Sequence, residues 1–243
     1  MDRTKRPGIS GFTLKLIAIL TMLIDHIGSA IVEKGILKLP MVTGDPDLLS
    51  FWNQTDRCMR AIGRLAFPIF CFLLVEGFIY TRDIKKYAGR LFLFALLSEF
   101  PFDLALKQGL FVPTSQNVYF TLLIGLLVMA GASWCEQRRK PFLSILVFLA
   151  GMLAAYLLKT DYSYKGILLI IVLYVFRFER FLQCVGGAIA ISWELTGPLA
   201  FLPIWFYNGK RGRISLKYFF YAFYPVHLLI LAGIRYLLLS LCG

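Results

Sequence analysis

Histidine, cysteine and acidic residues are scarce in this chain, and each scarcity argues against a class of protein. The 243 residues include 2 His, 5 Cys and 14 acidic residues, and charged residues make up 16%. Soluble domains usually carry about 25% charged residues, so an ordinary soluble domain is excluded. The odd number of cysteines and the lack of CxxC spacing argue against a disulfide framework and a zinc site. With two histidines, we predict no metal.

Apolar residues dominate the chain instead. Hydrophobic residues make up 58% of it, with 22 Phe and 12 Tyr. A helical span needs ~20 mostly apolar residues to cross a bilayer. The sequence therefore predicts an all-α fold, a polytopic integral membrane helical bundle that forms one domain over residues 1–243. We expect about nine transmembrane helices, within a range of eight to ten, at residues 14–32, 61–80, 88–106, 118–134, 142–158, 164–176, 181–193, 197–207 and 218–241.

The basic residues predict the orientation of the bundle. With a cytoplasmic N-terminus, 17 of the 26 Lys and Arg fall on one side, and positively charged connections stay in the cytoplasm. Topology thus explains the net charge of +12, and no nucleic-acid partner is expected. Residues 1–13 are predicted to form a cytoplasmic basic tail and residues 33–60 an external loop near a site mouth. Short loops without organelle-type signals indicate a bacterial plasma (inner) membrane.

A cleavable signal peptide is an alternative for the first span. A basic start, an apolar run and the small residues Gly28, Ser29 and Ala30 resemble such a signal. Cleavage would remove His26 from the mature protein.

Ionisable residues inside the predicted spans are the strongest functional signal. A charge at the bilayer centre costs at least ~2.5–3.5 kcal/mol on insertion scales, so such residues usually face a cavity or a partner. Depth, counted at 1.5 Å per residue, places most of them in the outer half of the membrane. We therefore predict a polar outer chamber connected to a basic inner mouth. The residues concerned are Asp25, His26, Arg64, Glu76, Glu99, Asp103, His227 and Arg235.

Lys15 and His26 lie eleven residues apart in the first span, which puts them on one helix face about 16 Å apart along the axis. Lys15 would stand at the cytoplasmic surface and His26 deep in the membrane. That spacing suits an extended carrier such as coenzyme A, with its phosphates in the cytosol. Histidine is the usual general base near neutral pH, and an interhelical hydrogen bond is the alternative role. Asp25 is expected to pair with Arg64 or to face another helix.

Two acidic motifs are further candidates. Glu99 and Asp103 share a helix face, with Pro101 expected to break the helix between them, and they could hold an ammonium group or orient an imidazole. A salt bridge to Arg64 or Arg235 is the alternative for that pair. Glu76 and Tyr80 are candidates to line the donor site or to anchor the helix near the interface.

The C-terminal part adds a second candidate base. His227 follows Tyr224 and Pro225, and the proline is expected to kink the last span and open a pocket. The alternative role for His227 is a hydrogen bond to a freed carbonyl. Lys210 and Arg211 lie in the run NGKRG, which is a candidate phosphate cradle or a plain topogenic loop.

Six stretches spread over residues 14–232 carry a family resemblance. They read LKLIAILTMLIDHIG, IGRLAFPIFCFLLVEGF, TRDIKKYAGRLFLFALLSEFPFDLAL, NVYFTLLIGLL, NGKRG and FYAFYPVHLLIL. Together they resemble the TraX family of membrane proteins, known for acetylating the pilin of conjugative F plasmids, and more distantly the wider transmembrane acyltransferases. That wider group shares a basic residue, ten intervening residues and a His, which Lys15 and His26 fit. The resemblance implies acetyl-CoA as co-substrate and His26 as the leading catalytic residue.

These observations predict an acyl-CoA-dependent O- or N-acetyltransferase. Its acceptor would be an amine or hydroxyl of a pilin, a peptide or a surface polymer at the outer half of the membrane. Lys15 would hold the donor phosphates, and His26 would act as general base or transient acetyl carrier. Arg64 or Asn117 would stabilise the oxyanion, and Glu99 with Asp103 would position the acceptor.

Two other classes of function fit the same sequence. A proton-coupled transporter or flippase would use an intramembrane carboxylate relay of Asp25, Glu99, Asp103 and Glu194. A noncatalytic assembly factor for a pilus or surface polymer would tolerate loss of His26 better than loss of its packing glycines.

Overall fold

The fold is known from a computed structural model that describes residues 8–212 and 217–242. Within that part the chain is helical and forms no β-strand, which confirms the all-α prediction. Each of the nine predicted spans overlaps helix there. The helices are α1 Gly11–Ile27, α2 Pro40–Thr43, α3 Pro46–Gly63, α4 Ala66–Tyr80, α5 Ile84–Phe102, α6 Val118–Gln137, α7 Pro141–Leu157, α8 Ser163–Val175, α9 Arg180–Ala190, α10 Phe201–Trp205 and α11 Lys217–Cys242.

Several helical stretches suit a membrane. Four are long and apolar enough to cross one: Gly11–Lys38, Pro46–Tyr80, Val118–Gln137 and Tyr218–Cys242. Pro141–Leu157 and Ser163–Val175 are shorter apolar helices. These lengths and the apolar surface make this a membrane protein, while the number of spans and their orientation stay predictions. Following that orientation, we call the end at which α1 begins the inner end.

The segment predicted as an external loop at residues 33–60 is largely helical, which corrects that expectation. Asp45 begins α3, because its carboxylate accepts hydrogen bonds from the backbone N–H of Asp47 and Leu48. The helix packs along the outer part of α1 and its π-helical extension Gly28–Glu33. Helix α1 begins at Gly11, within the predicted basic tail of residues 1–13, and residues 1–7 of that tail lie outside the described part.

Helix α5 was predicted to break at Pro101, and this prediction is wrong. The helix continues through Pro101 to Phe102 and then widens into a π-helical stretch, Asp103–Lys107. A proline removes one backbone hydrogen bond, and a local change of helical pitch absorbs the loss. At the other end of α5, the Lys86 N–H donates to the Asp83 carboxylate at 2.9 Å, which caps the helix and lowers the pKa of Asp83.

Helix α11 also runs continuously through its proline. Pro225 has no N–H, so the carbonyl of Tyr221 loses its partner within the helix. The hydroxyl of Tyr119 on α6 donates to that carbonyl at 3.0 Å. A side chain from a neighbouring helix thus satisfies the backbone group that the proline frees, as a membrane interior requires.

Glycines set the close approach of the central helices, and Gly151 of α7 makes the tightest contact. A Cβ atom added there would lie 2.1 Å from Cγ2 of Val128 on α6. We expect Gly151→Ala to destabilise the protein by about 1–3 kcal/mol through overpacking, despite the better helix propensity of alanine. The melting temperature of the detergent-solubilised protein would measure this loss. The matched control is Gly233→Ala, whose Cβ would meet no atom within 4 Å; equal melting temperatures for the two variants would contradict the prediction.

Candidate functional site

Two neighbouring cavities lie within the described residues of the bundle, and the larger of the two, of about 830 Å³, lies at the inner end. Its lining carries four basic side chains, Lys15, Arg82, Arg90 and Arg211, against one carboxylate, Glu76. An excess of positive charge in a recess favours an anionic ligand, and phosphate groups are the anions that Arg and Lys bind best. The inner cavity therefore has the electrostatics of a phosphate-bearing ligand site.

The structure brings four of the predicted donor-side residues to this cavity: Lys15, Glu76, Tyr80 and Arg211. Arg211 donates to the backbone carbonyl of Tyr80 at 3.4 Å. Lys210 is exposed, and its carbonyl accepts the N–H of Gly11 at 2.8 Å, so this residue caps α1 and does not line the cavity.

Sequence reasoning missed Arg90 and Arg82 as site residues, because it counted both as charges of an inner loop. Arg90 lies within α5, where its guanidinium is 5.5 Å from the ring centroid of Tyr87. Its Nε atom is buried without a hydrogen-bond partner. Arg90 falls inside the predicted span 88–106, so it could have been counted among the ionisable residues within the spans.

The smaller cavity, of about 340 Å³, lies toward the outer end and contains His26 in its wall. Nδ1 of His26 lies 2.6 Å from Nε2 of His227, and Nδ1 of His227 lies 2.6 Å from the carbonyl oxygen of Phe223. The two imidazole rings are within 8° of parallel, as suits an in-plane hydrogen bond. The two histidines, predicted separately as candidate bases, form one hydrogen-bonded chain.

The partners of this chain fix its protonation pattern. A carbonyl oxygen only accepts, so Nδ1 of His227 is the donor toward Phe223. In a neutral imidazole the other nitrogen is an acceptor, so Nε2 of His227 accepts the proton carried by Nδ1 of His26. Nε2 of His26 is left as an acceptor beside the outer cavity. That nitrogen has the lone pair that a general base needs.

Ion pairs surround the outer cavity, and one of them involves Asp25. Of the two predicted alternatives for Asp25, the structure shows the second: Asp25 faces α3, where it pairs with Arg60 at 2.7 Å, while Arg64 pairs with Glu194 at 3.4 Å. Gly63 lets Asp25 approach α3 this closely, because a Cβ atom at position 63 would lie 2.2 Å from Cβ of Asp25. Asp25 therefore fits against α3, one turn from Arg60. Arg64 remains in the wall of the cavity.

The predicted acceptor residues Glu99 and Asp103 serve the 108–117 connection instead. Glu99 accepts hydrogen bonds from the backbone and the side chain of Asn117, and Asp103 accepts from the backbone N–H of Val112 at 2.7 Å. Asn117 itself caps α6 through Tyr119, so its polar atoms are occupied. Arg235, the predicted alternative partner, donates to the carbonyls of Leu104 and Ala105.

Tyr224, which precedes Pro225 and His227 in the sequence, is a secondary candidate that packs against both histidines. Its ring centroid is 5.8 Å from that of His26 and 5.8 Å from that of His227, edge-on to each. The ring is almost fully buried and forms part of the outer cavity wall. Tyr224 thus packs the histidine chain in place.

Comparison with known proteins gives a family assignment. The family model described as "TraX protein" matches residues 10–235. A relative from Dichelobacter nodosus, named "Probable fimbrial assembly protein FimC, serogroup H1", is 30% identical over 257 residues, which cover 93% of this chain and 96% of that protein. No solved structure matches the chain. This chain belongs to the TraX family.

Proposed function

We propose that this protein is a membrane-bound acetyltransferase that moves an acetyl group from cytosolic acetyl-CoA to an amine or hydroxyl at the outer half of the membrane. The observation that carries the proposal is the chain from Phe223 through His227 to His26, which presents Nε2 of His26 as an acceptor beside the outer cavity, and this cavity adjoins the basic inner cavity. A fimbrial assembly protein among the relatives and the family resemblance support a pilin as the first acceptor to test.

The proposed reaction uses the chain's own residues for proton transfer and charge stabilisation. Nε2 of His26 takes the proton of the acceptor while the acceptor oxygen or nitrogen bonds to the acetyl carbonyl carbon. Arg64 stabilises the oxyanion that develops on the carbonyl oxygen. The carbon–sulfur bond then breaks, and the thiolate of coenzyme A receives the proton from His26. The products are the acetylated acceptor and free coenzyme A.

Donor binding is proposed for the inner cavity, where its basic side chains face the phosphates. We expect Lys15→Gln and Arg90→Gln each to raise the KM for acetyl-CoA about tenfold, since each removes a charge-assisted contact. The kcat should stay near the wild-type value, because neither residue lies beside His26. Initial rates over a range of acetyl-CoA concentrations would measure the change. Lys140→Gln, in the inner connection after α6, is the control; an equal KM for all variants would contradict this donor site.

The test of the function is thiol release from acetyl-CoA by the purified full-length protein, with and without a pilin-containing outer-surface extract. The proposal expects release that depends on the extract, together with transfer of a labelled acetyl group to an extract component. Absence of extract-dependent release would overturn it. Solute movement in vesicles without consumption of acetyl-CoA would instead favour transport.

The carboxylate relay of a transporter has little support in the structure. Asp25 and Glu194 each pair with an arginine, and Glu99 and Asp103 accept hydrogen bonds from the outer connection. Carboxylates held in this way serve as ion-pair and hydrogen-bond partners that stabilise the bundle. We therefore give acetyl transfer as the one proposed function.

A further inference from the structure

Phe70 separates the two cavities. Among the residues that the structure describes, it is the one side chain that lines both of them. It lies in α4 between Ala66 and Phe67, which line the outer cavity, and the stretch from Leu73 to Tyr80, which contributes to the lining of the inner cavity. The two spaces therefore meet at the Phe70 ring.

Two tyrosines complete the wall beside Phe70. Tyr119 lines the inner cavity and Tyr224 the outer one, and their ring centroids lie 5.2 Å apart, edge to face. The hydroxyl of Tyr119 is held by the Tyr221 carbonyl, and Tyr224 contacts His26. Phe70, Tyr119 and Tyr224 are thus the aromatic side chains that could close this boundary, and side-chain bonds rotate without any helix movement. Phe70 is less buried than either tyrosine, so its ring is the least restricted of the three in side-chain rotation.

The size and charge of the outer cavity limit the kind of acyl group that enters it from the inner cavity. The outer cavity is small and lined by Asp25, Arg60, Arg64, Lys107 and Asp161, together with His26. Apolar side chains such as Phe67 and Phe102 complete the lining, but the volume of about 340 Å³ must also hold the acceptor group. A long hydrocarbon chain would therefore have to displace water from the charged groups, which is unfavourable. A short acyl group with a polar carbonyl fits this space.

We propose that Phe70, together with Tyr119 and Tyr224, forms an aromatic partition that divides the inner cavity from His26 and restricts the transferred acyl group to a short chain. The proposal rests on the proposed function for the identity of the donor. The partition holds the pantetheine arm on the inner side and admits the thioester end to His26. It also keeps water of the outer cavity from the donor, which limits wasteful hydrolysis.

The partition itself is tested without any acyl transfer. Ser29 lines the outer cavity, and Ser29→Cys on a Cys58→Ser, Cys242→Ser background gives a single added thiol, since the three other cysteines are buried. A small charged methanethiosulfonate reagent is applied from either side of sealed membranes. We expect modification of this thiol from the outer side alone, and from both sides after Phe70→Ala. Modification from both sides in the parent protein would overturn the partition.

The acyl-length limit is tested on the purified protein by comparing hexanoyl-CoA with acetyl-CoA. We expect Phe70→Ala to raise the ratio of kcat/KM for hexanoyl-CoA over acetyl-CoA by about tenfold or more, and to increase hydrolysis of acetyl-CoA without acceptor. Phe92→Ala is the matched control, because Phe92 is an outward-facing phenylalanine on α5. Phe70→Trp puts a larger ring in the same space and should lower acetyl transfer. This second variant tests the partition even where the alanine variant folds poorly.

The outcomes separate the two proposals. An unchanged acyl-length ratio in a folded Phe70→Ala protein that still uses acetyl-CoA would overturn the length limit and leave acetyl transfer standing. A protein that shows the one-sided labelling of Ser29→Cys but never releases thiol would overturn acetyl transfer and leave the partition standing.

Discussion

Replacing His26 with glutamine is expected to lower the kcat for acetyl transfer by about 10²–10⁴-fold, the range that a general base contributes. Glutamine keeps a polar group near the position of Nε2 but cannot accept the proton of the attacking group. His26 sits at the end of the histidine chain, so the change leaves His227 and its bond to Phe223 in place. Thiol release under saturating acetyl-CoA and acceptor measures the loss.

The controls for His26→Gln separate chemistry from folding. The variant should keep the wild-type KM for acetyl-CoA, because donor phosphates are proposed to bind in the inner cavity. Thr21→Val is the matched control on the same helix, since the Thr21 hydroxyl only contacts carbonyls of α1. Wild-type turnover in a folded His26→Gln protein would make His26 structural and would remove the base from the mechanism.

Replacing His227 with phenylalanine is expected to lower the kcat by about 10–100-fold, the size of effect seen when an orienting partner is removed. His227 is a positioning residue: its Nε2 holds the proton of His26 on Nδ1 and so leaves Nε2 of His26 free to act as the base. Phenylalanine keeps the ring volume but removes this acceptor. Nothing then selects the reactive tautomer of His26.

The conservative variant His227→Gln tests positioning against mere packing. Its side-chain oxygen reaches the same place as Nε2 and accepts from His26, so we expect it to recover a large part of the activity that His227→Phe loses. In both variants the KM for acetyl-CoA should be unchanged while the kcat differs. Equal kcat values for the glutamine and phenylalanine variants would show that His227 only fills space.

Much of the fold and part of the site could be predicted from the sequence because long apolar runs and helical periodicity are local properties. All nine predicted spans overlap helix in the described residues. Lys15 lines the inner cavity and His26 the outer one, and both lie on one continuous helix, as their eleven-residue spacing in a single span implies. Depth along an isolated helix follows from counting residues.

The contacts between helices could not be predicted in the same way. His26 and His227 are 201 residues apart in sequence, and no local pattern shows that α1 packs against α11 at that depth. Counting residues along α5 likewise could not show that the carboxylates of Glu99 and Asp103 turn to the 108–117 connection. No sequence pattern distinguishes Phe70 as a site residue, since it is one of 22 phenylalanines.

The anchoring of the histidine chain on a backbone carbonyl affects how the protein is assembled. A carboxylate partner would place a permanent charge in one helix, whereas Phe223 offers a neutral oxygen that already belongs to α11. Each histidine therefore enters the bilayer as an uncharged side chain, at a far lower cost than an ion that has not yet met its counter-charge. During biosynthesis α1 inserts long before α11 is made. The site then forms when these two inserted helices pack side by side. The hydrogen bond between the imidazoles stabilises the correct pairing of α1 with α11.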